Sequence, residues 1–481
     1  TAEAWRMAMG NGGSPSVKAR LGLWDAVSII VGIVIGSSIY TTPWLIFHNV
    51  PGPWSALGLW LLCGALALVG ALCYAELATT YPRSGGDYVY LSRAYGPAAG
   101  FLFGWAQLAV ILPGSIGAMA FIFGDYAAAL FGVAPESRVG FATLAGAAAV
   151  VALALTNAAG VVFGKRVQNA LVATKVLGLG GIILVGLFCA RSDALHASPP
   201  QGDPPVLGVA MILILYAYGG WNDAALVAAD LRRPRDITRA LVLGTVGITV
   251  IYLAVNAAYI LGLGFDEARN YRPTIASDLL RAGLGEAGGK AMNVLVMVSA
   301  LGAVNGLLFT RTRLGSALGA DHRLFAVLDR WHPTLKTPVW SLAFQAAMTL
   351  TMIFLVGTAA GRGAIDSALT PLRLGPIPWD TYHGGFDTIF AGTAPVFWAF
   401  FLLTGLSVFV LRWRDPTIER PFALPIPLFP LLPLAFCAMC LFGLYSASDY
   451  AGWVSLIGLV PLAIGLPLYW LSPRAPGPKP D

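Results

Sequence analysis

Two glycine-containing stretches interrupt otherwise apolar segments of this sequence, Ile35-Gly36-Ser37-Ser38-Ile39 and Tyr218-Gly219-Gly220-Trp221-Asn222. They lie roughly half a chain apart, and each falls in the first of five consecutive apolar segments. A helix in lipid must satisfy its own backbone hydrogen bonds, so a break is tolerated only where the freed N–H and C=O groups line a cavity or bind a ligand. Because paired breaks in the two halves of a chain indicate a transporter's substrate site, we interpret these stretches as a binding site.

The groups freed at the two breaks are complementary to an α-amino acid. N–H donors at residues 36–38 begin a half-helix whose positive dipole end suits a carboxylate, and carbonyls at residues 218–221 can accept from an ammonium group. Tyr216 and Ala217 directly precede the second break and are included in the site. The predicted substrate-binding residues are Ile35, Gly36, Ser37, Ser38, Ile39, Tyr216, Ala217, Tyr218, Gly219, Gly220 and Asn222.

One basic residue, Lys175, lies inside the fifth apolar segment. A basic group within a membrane span costs a few kcal/mol and indicates a function by default. The alternative is that the lysine side chain extends so that its ammonium group reaches the lipid headgroups. Its separation along the chain from Lys165 makes that extension difficult, and the functional interpretation is favoured.

Composition defines the class of protein. Hydrophobic residues make up 57% of the 481-residue chain and charged residues only 11%, whereas an average soluble domain is about 25% charged. These values predict a polytopic membrane protein. The net charge of +6 is small for this length, and the basic residues fall in short loops, which indicates topology determinants and argues against nucleic-acid binding.

Apolar segments near the length that spans a bilayer can be counted along the chain. The sequence predicts twelve, at approximately 22–47, 54–80, 96–131, 138–158, 168–190, 206–231, 238–263, 288–318, 338–358, 387–411, 422–445 and 450–471. Placing both termini in the cytoplasm puts most of the 30 Lys and Arg residues inside, with Arg311 and Arg313 among the cytoplasmic ones. The positive-inside rule therefore supports this orientation, in the cell (inner) membrane.

Several motifs resemble the amino acid–polyamine–organocation (APC) superfamily, and within it the L-type amino acid transporter (LAT) family is most similar. The resemblance covers nearly the whole chain and is carried by the second-segment exit Cys73-Tyr74-Ala75-Glu76-Leu77-Ala78-Thr79-Thr80 with Ser84-Gly85-Gly86-Asp87-Tyr88-Val89-Tyr90, by Gly32-Ile33-Val34-Ile35-Gly36-Ser37-Ser38-Ile39-Tyr40, by Tyr216-Ala217-Tyr218-Gly219-Gly220-Trp221-Asn222, by Val304-Asn305-Gly306-Leu307-Leu308-Phe309-Thr310, and by Arg420-Pro421-Phe422.

The resemblance implies an all-α fold of twelve transmembrane helices, in which a five-plus-five inverted repeat of the leucine-transporter type has broken helices one and six. Two further helices follow the repeat. The expected divisions are a cytoplasmic segment at 1–21, the first repeat at 22–190, the second repeat at 206–411, the two extra helices at 422–471 and a cytoplasmic tail at 472–481.

The resemblance also implies roles for single residues. In sodium-independent members a fifth-segment lysine occupies the volume of a sodium site, so Lys175 is expected to contact carbonyls near residues 32–36, Gly32 among them, and a hydroxyl such as that of Ser299. Tyr216 is expected to be an aromatic gate above the substrate. Ser115, Asn305 and Trp398 are possible lining of the side-chain pocket.

Asp223 departs from the family pattern, in which the matching residue is not acidic. It could cap the second half-helix or give polar support, or it could favour a cationic side chain or carry a proton. These alternatives remain open on the sequence alone. Glu76 and Asp230 lie near several arginines at the cytoplasmic ends of their segments, where either an inside-gate ion pair or a surface ion pair is expected.

The loop at residues 131–138 lacks the cysteine that links animal LAT light chains to a glycoprotein, so no disulfide-linked partner is expected and a prokaryotic origin is the simplest explanation. No enzyme motif, metal site or cofactor site is predicted. The predicted function is sodium-independent exchange of neutral L-amino acids by alternating access. The alternatives are a proton-coupled symporter, a carrier of cationic amino acids or polyamines and, from a different class, a membrane sensor without transport.

Overall fold

A computed structural model describes residues 21–198, 205–233, 235–270, 275–372, 375–379, 385–425 and 427–472. Apart from Leu21 and Ser472, the predicted terminal segments 1–21 and 472–481 lie outside these ranges. The described chain is mostly helical, and its β pairing is one isolated parallel bridge between Leu21 and Leu231. The prediction of an all-α polytopic membrane protein is confirmed.

Eighteen α-helices follow one another along the described chain, interrupted by short π and 3₁₀ helices. They are α1 (Leu23–Val34), α2 (Ser38–Thr41), α3 (Pro43–His48), α4 (Pro53–Thr80), α5 (Asp87–Tyr95), α6 (Pro97–Ala106), a π-helix (Gln107–Ile111), α7 (Leu112–Leu130), α8 (Pro135–Ala158), α9 (Val161–Phe188), α10 (Leu207–Ala217), a 3₁₀ helix (Trp221–Asp230), α11 (Asp236–Leu263), α12 (Phe265–Ala268), α13 (Ile275–Asp321), a 3₁₀ helix (Arg323–Asp329), α14 (Val339–Gly357), α15 (Ala359–Leu369), a 3₁₀ turn (Thr370–Leu372), α16 (Gly385–Arg414), α17 (Leu431–Ala451), a 3₁₀ turn (Gly452–Ser455) and α18 (Leu456–Leu471).

Ten helical stretches of the described chain are long and apolar enough to cross a membrane. The predicted count of twelve differs from this number at two places. The first predicted segment is divided among α1, α2 and α3, none of which reaches spanning length. The last two predicted segments fall in one continuous stretch, Leu431–Leu471, which turns at Gly452 with φ 51°. Twelve crossings therefore remain a prediction.

Small residues let several of these helices approach closely. A Cβ atom placed on Gly124 of α7 would lie 2.1 Å from the carbonyl oxygen of Ala142 in α8. Between α9 and α11, a Cβ atom on Gly186 would lie 2.6 Å from Ala258. Helices in lipid associate through such close backbone contacts, because there is no hydrophobic driving force between them.

The short helix α1 lies at the centre of this arrangement. It packs against α9, α11, α13 and the 3₁₀ helix Trp221–Asp230, which begins directly after the second break. Its residues from Ile29 to Ile35 are buried. The packing places the end of α1 next to the end of α10, so the two interruptions predicted from sequence meet in the middle of the fold.

Candidate substrate site

The first break separates α1 from α2. After Val34 the chain leaves the helical conformation at Ile35, where φ is −75° and ψ is 82°. The N–H of Gly36 turns back to the carbonyl of Val34 at 2.8 Å. The N–H groups of residues 37–39 have no acceptor within the described ranges. This break therefore presents unpaired donors, as expected where a half-helix begins.

The carbonyls of the first break are already occupied by side chains. The Lys175 ammonium on α9 donates to the carbonyl of Gly32 at 3.0 Å and also to that of Ile35. The Ser299 hydroxyl on α13 lies 3.1 Å from the carbonyls of both Ile35 and Gly36. Both side chains are fully buried. The structure thus brings Lys175, Gly32 and Ser299 together around one unwound turn, with Ile35 as their shared acceptor.

The second break follows α10 and is built on glycine. The N–H of Gly219 bonds to the carbonyl of Tyr216 at 2.9 Å, and Gly220 has φ of 110°, a left-handed conformation that glycine adopts freely. A Cβ atom on Gly220 would lie 2.7 Å from Cγ2 of Ile33 in α1. Glycine is therefore required both by the backbone conformation and by the contact between the two breaks.

Two carbonyls of the second break are available to a ligand. Those of Tyr218 and Gly219 accept no hydrogen bond from any residue in the described part of the chain. Tyr218 itself is anchored by its hydroxyl, which donates to the carbonyl of Trp60 at 3.2 Å. The two breaks thus supply free acceptors and, at residues 37–39, free donors. An ammonium and a carboxylate on one carbon require that pair of groups.

One tyrosine joins the two breaks, and the sequence prediction missed it. The Tyr252 hydroxyl on α11 lies 3.0 Å from the carbonyl of Val34, at the end of α1, and 3.0 Å from that of Ala217, at the end of α10. Its side chain is fully buried. The only available signal was a tyrosine in an apolar segment, which also describes Tyr259 seven residues later, whose hydroxyl contacts Ile39.

The predicted gate Tyr216 lies at the end of α10. Its ring meets that of Phe390 on α16 edge to face, with centroids 4.4 Å apart. The side chain is about two-fifths exposed, at 43%. Tyr216 therefore contacts α16 from the end of α10, at the edge of the second break.

Asp223 does not cap the second half-helix, and that alternative is wrong. Gly220 holds the N-cap position of the 3₁₀ helix and no side chain caps it. Asp223 instead forms an ion pair with Arg311 of α13, with an N···O distance of 2.5 Å. Arg311 also donates to the side chain of Gln107 in the π-helix at 3.1 Å. Asn222, the neighbouring predicted residue, is buried at the start of the same 3₁₀ helix.

Arg311 and Arg313, counted among the cytoplasmic basic residues, lie near the end of the predicted segment 288–318. Both lie within α13 and are buried, because each has an acidic partner on the 3₁₀ helix after the second break. Arg313 pairs with Asp230 at 3.0 Å. Glu76 forms a comparable buried contact on α4, where it accepts two hydrogen bonds from Arg412 of α16.

Two of the possible lining residues have other contacts. Asn305 is fully buried and bonded to the side chains of Asn157 and Gln168, so it ties α13 to α8 and α9. Trp398 is packed over Gly443 of α17. We therefore remove both from the side-chain pocket. Ser115 is partly exposed, and its hydroxyl donates to the Ile111 carbonyl of its own segment.

These features define a polytopic membrane carrier whose two interrupted helices meet at a buried polar centre. The chain belongs to the amino acid permease family of the APC superfamily, which it matches over residues 21–466. It is 32% identical over 483 residues to the large neutral amino acids transporter small subunit 2 of Rattus norvegicus, covering 97% of this chain and 83% of that one. The predicted resemblance to L-type transporters is thereby confirmed.

Other relatives are also amino acid transporters. The serine/threonine exchanger SteT of Bacillus subtilis (strain 168) is 30% identical over 461 residues, covering 94% of this chain and 97% of that protein. The human b(0,+)-type amino acid transporter 1 is 29% identical over 421 residues, covering 85% of this chain and 80% of that protein. Amino acid transport is therefore the function common to these relatives.

Proposed function

We propose that this protein is a sodium-independent exchanger of neutral L-amino acids that works by alternating access. The proposal rests on three features of the two breaks: the groups they leave free, the charge that occupies the first of them, and the pairing of the acidic residue beside the second with an arginine.

The free backbone groups match the part that all amino acids share. Donors at residues 37–39 would hold the carboxylate, helped by the positive end of the half-helix that follows. Carbonyls of Tyr218 and Gly219 would hold the ammonium. Tyr216, at the edge of the second break, would close over the bound substrate from outside, and Phe390 is the surface on which it would rest.

Lys175 is the single observation that carries sodium independence. A sodium ion in a protein is held by oxygen ligands, and a break in a helix supplies them as carbonyls. Here the carbonyls of Gly32 and Ile35 accept from the Lys175 ammonium. The lysine thus supplies a positive charge at this position without a bound sodium ion. A protein-bound cation that is already in place removes both the space for sodium and the electrostatic reason to bind it.

The neutral preference is supported by the pairing of the acidic group near the second break. The acidic group closest to the break in sequence, Asp223, is paired with Arg311. A cationic substrate side chain would have to displace the Arg311 guanidinium from Asp223. The names of the relatives, a transporter of large neutral amino acids and a serine/threonine exchanger, support both the neutral substrate and the exchange mode.

We further propose that the protein acts in the cell (inner) membrane with both termini cytoplasmic, without a disulfide-linked partner and without nucleic acid. All five cysteines are free, and four of them are buried. The loop at 131–138 offers no cysteine to a partner.

Proteoliposomes containing the full-length protein test this function. Uptake of labelled L-serine and L-leucine would be measured with and without the unlabelled amino acid inside, in sodium or choline buffer. We expect uptake that needs internal amino acid and is equal in the two buffers, because exchange requires a returning substrate and Lys175 replaces the ion.

Two results would contradict the proposal. Uptake that is lost in choline would show that a sodium ion binds in spite of Lys175. Accumulation into empty vesicles would exclude obligatory exchange. Labelled L-lysine is the matched control for side-chain charge, and we expect it to enter much more slowly than L-leucine.

A further inference from the structure

A cluster of buried charges lies beside the substrate site, on the side of the membrane predicted to be cytoplasmic. It is made of Asp223 on the 3₁₀ helix after the second break, Arg311 on α13 and Asp87 at the start of α5. Their exposed fractions are 1%, 7% and 4%. Two buried carboxylates and one buried guanidinium group thus belong to the same part of the fold.

The two carboxylates are not held in the same way. Asp87 accepts hydrogen bonds from the hydroxyls of Tyr74 on α4 and Thr404 on α16, both at Oδ1, the second at 2.9 Å. These two donors stabilise the ionised form of Asp87. Asp223 is ion-paired with Arg311 through Oδ1, and neither of its carboxylate oxygens has a partner in hydrogen-bond geometry in the part of the chain that the structure describes.

Arg311 is likewise incompletely paired. It approaches Asp223 and donates to Gln107. Asp87 lies on the same side of the 3₁₀ helix, because a Cβ atom on the neighbouring Gly86 would lie 3.1 Å from Leu226. Its Nε atom has no acceptor among the described residues. One guanidinium can neutralise one carboxylate, so the cluster has a net charge of −1 when both acids are ionised. Burying an uncompensated charge costs several kcal/mol.

The neighbouring charged groups do not remove this imbalance, because they are paired with one another. Arg313 is paired with Asp230. At the start of α1, Asp25 is paired with Lys165. At the start of α11, Asp236 lies near Arg239. The other titratable groups nearby are Tyr74 and Tyr90, whose rings meet edge to face, and Glu76 of α4, which is paired with Arg412.

We propose that Asp87, Asp223 and Arg311 form a proton-binding site that holds the predicted cytoplasmic side of the substrate path closed, and that a proton on Asp223 releases it. The proton bonds to the free Oδ2 atom of Asp223 and leaves from the same atom, with no other bond made or broken. Asp87 and Arg311 then balance each other. This inference rests on the proposed exchange by alternating access.

The location explains why the proton acts on the gate. Asp223 belongs to the sixth segment, which carries the second break, whereas Arg311 and Gln107 belong to the eighth and third segments. The ion pair therefore joins a broken helix to two other segments. A protonated Asp223 offers Arg311 a neutral hydrogen bond instead of an ion pair, so the segments separate more easily and exchange becomes faster at acid pH.

Counterflow exchange at equal pH inside and outside the vesicles tests the proposal without regard to the orientation of the protein. Labelled L-leucine exchange would be measured at pH 5.5, 6.5 and 7.5 with full-length protein. A single proton can change the balance of the gate by at most about tenfold per pH unit. We expect a several-fold rise in exchange from pH 7.5 to 5.5.

Two substitutions remove the imbalance by different routes. Asp223→Asn leaves Asp87 with Arg311, and Asp87→Asn leaves Asp223 with Arg311, so each variant has one carboxylate for one guanidinium. We expect the ratio of exchange at pH 5.5 to that at pH 7.5 to fall to within about twofold of unity in either variant. If one variant does not reconstitute as a monodisperse protein, the other decides.

Asp125→Asn is the matched control, since it also removes a carboxylate paired with an arginine, but its partner Arg138 is exposed to solvent and both lie outside the cluster. We expect it to retain the wild-type ratio. A wild-type protein with no pH dependence would overturn the proposal, and so would both cluster variants retaining the wild-type ratio. Loss of amino acid exchange at every pH in the wild type would instead contradict the proposed function.

Discussion

The two breaks in the centre of the fold are stabilised in opposite ways. In the first, the carbonyls of Gly32 and Ile35 are held by the buried side chains of Lys175 and Ser299, while N–H groups remain free. In the second, a left-handed Gly220 makes the turn. No charged side chain in the described chain bonds to the second break, and the carbonyls of residues 218 and 219 remain free.

This difference teaches which half of the site is fixed and which is open to a ligand. A buried ammonium that bonds to two carbonyls fixes the first break in place. Its loss costs about 3–5 kcal/mol, because it leaves buried groups without their partner. The second break depends on backbone freedom and on its contact with Ile33 of α1. We therefore expect substitutions at the first break to act through lost charge and those at the second to act through shape.

Lys175→Ala is expected to have the largest effect. It leaves the carbonyls of Gly32 and Ile35 without their donor and opens a cavity at a fully buried position. Breaking a buried charged contact costs about 3 kcal/mol or more. Exchange of L-leucine in proteoliposomes is expected to fall about 100-fold.

Arg166→Ala is the matched control for Lys175→Ala, because it removes a basic residue from the same helix. Arg166 is exposed, and substitutions at exposed positions usually change stability by about 0.5 kcal/mol or less. We therefore expect at least about a third of wild-type exchange. Equal losses in the two variants would show that Lys175 has no special role at the break.

The sequence could predict the first break more completely than the second, for a physical reason. Glycine and serine clusters in an apolar segment, and a lysine in another, are visible because they violate the rules for helices in lipid. The contact of Lys175 with Gly32 is implied by the family resemblance and not by the residue types alone. The second break depends on the left-handed backbone conformation at Gly220. In the sequence this position is visible only as a glycine, which does not reveal its conformation.

Gly220→Ala is expected to have the second largest effect and tests the break that depends on shape. A left-handed conformation costs an L-residue about 1–2 kcal/mol, and the new methyl group would meet Ile33 at 2.7 Å. We expect exchange to fall about tenfold to thirtyfold. The charge and the hydrogen bonds of the first break are unchanged in this variant.

Gly208→Ala is the control for Gly220→Ala, because Gly208 lies at the other end of the same segment and its Cβ position has only Phe442 nearby, at 4.0 Å. It is expected to exchange at close to the wild-type rate. Wild-type exchange by Gly220→Ala would refute the claim that the second break requires glycine.

The parts of the site that could not be predicted are those in which two residues compensate for each other. Asp223 departs visibly from the family pattern, but its partner Arg311 counts only as a cytoplasmic basic residue, because the positive-inside rule treats an arginine near a segment end as a topology signal. Only the fold shows that both are buried and face each other. Tyr252 is unpredictable for a similar reason, since its acceptors lie far away in the chain.

Tyr252→Phe tests whether the two breaks act as one site. The substitution removes a hydroxyl that lies 3.0 Å from the ends of both α1 and α10 and keeps the ring. One lost hydrogen bond is worth about 1 kcal/mol, so exchange is expected to fall about fivefold, less than in Lys175→Ala or Gly220→Ala. Tyr259→Phe, which affects only Ile39 beyond the first break, is the control.

If the breaks are coupled through Tyr252, combining Tyr252→Phe with Gly220→Ala is expected to reduce exchange by less than the product of the two single effects, because the second break is already displaced. Losses that multiply in full would mean that each break holds its half of the substrate independently.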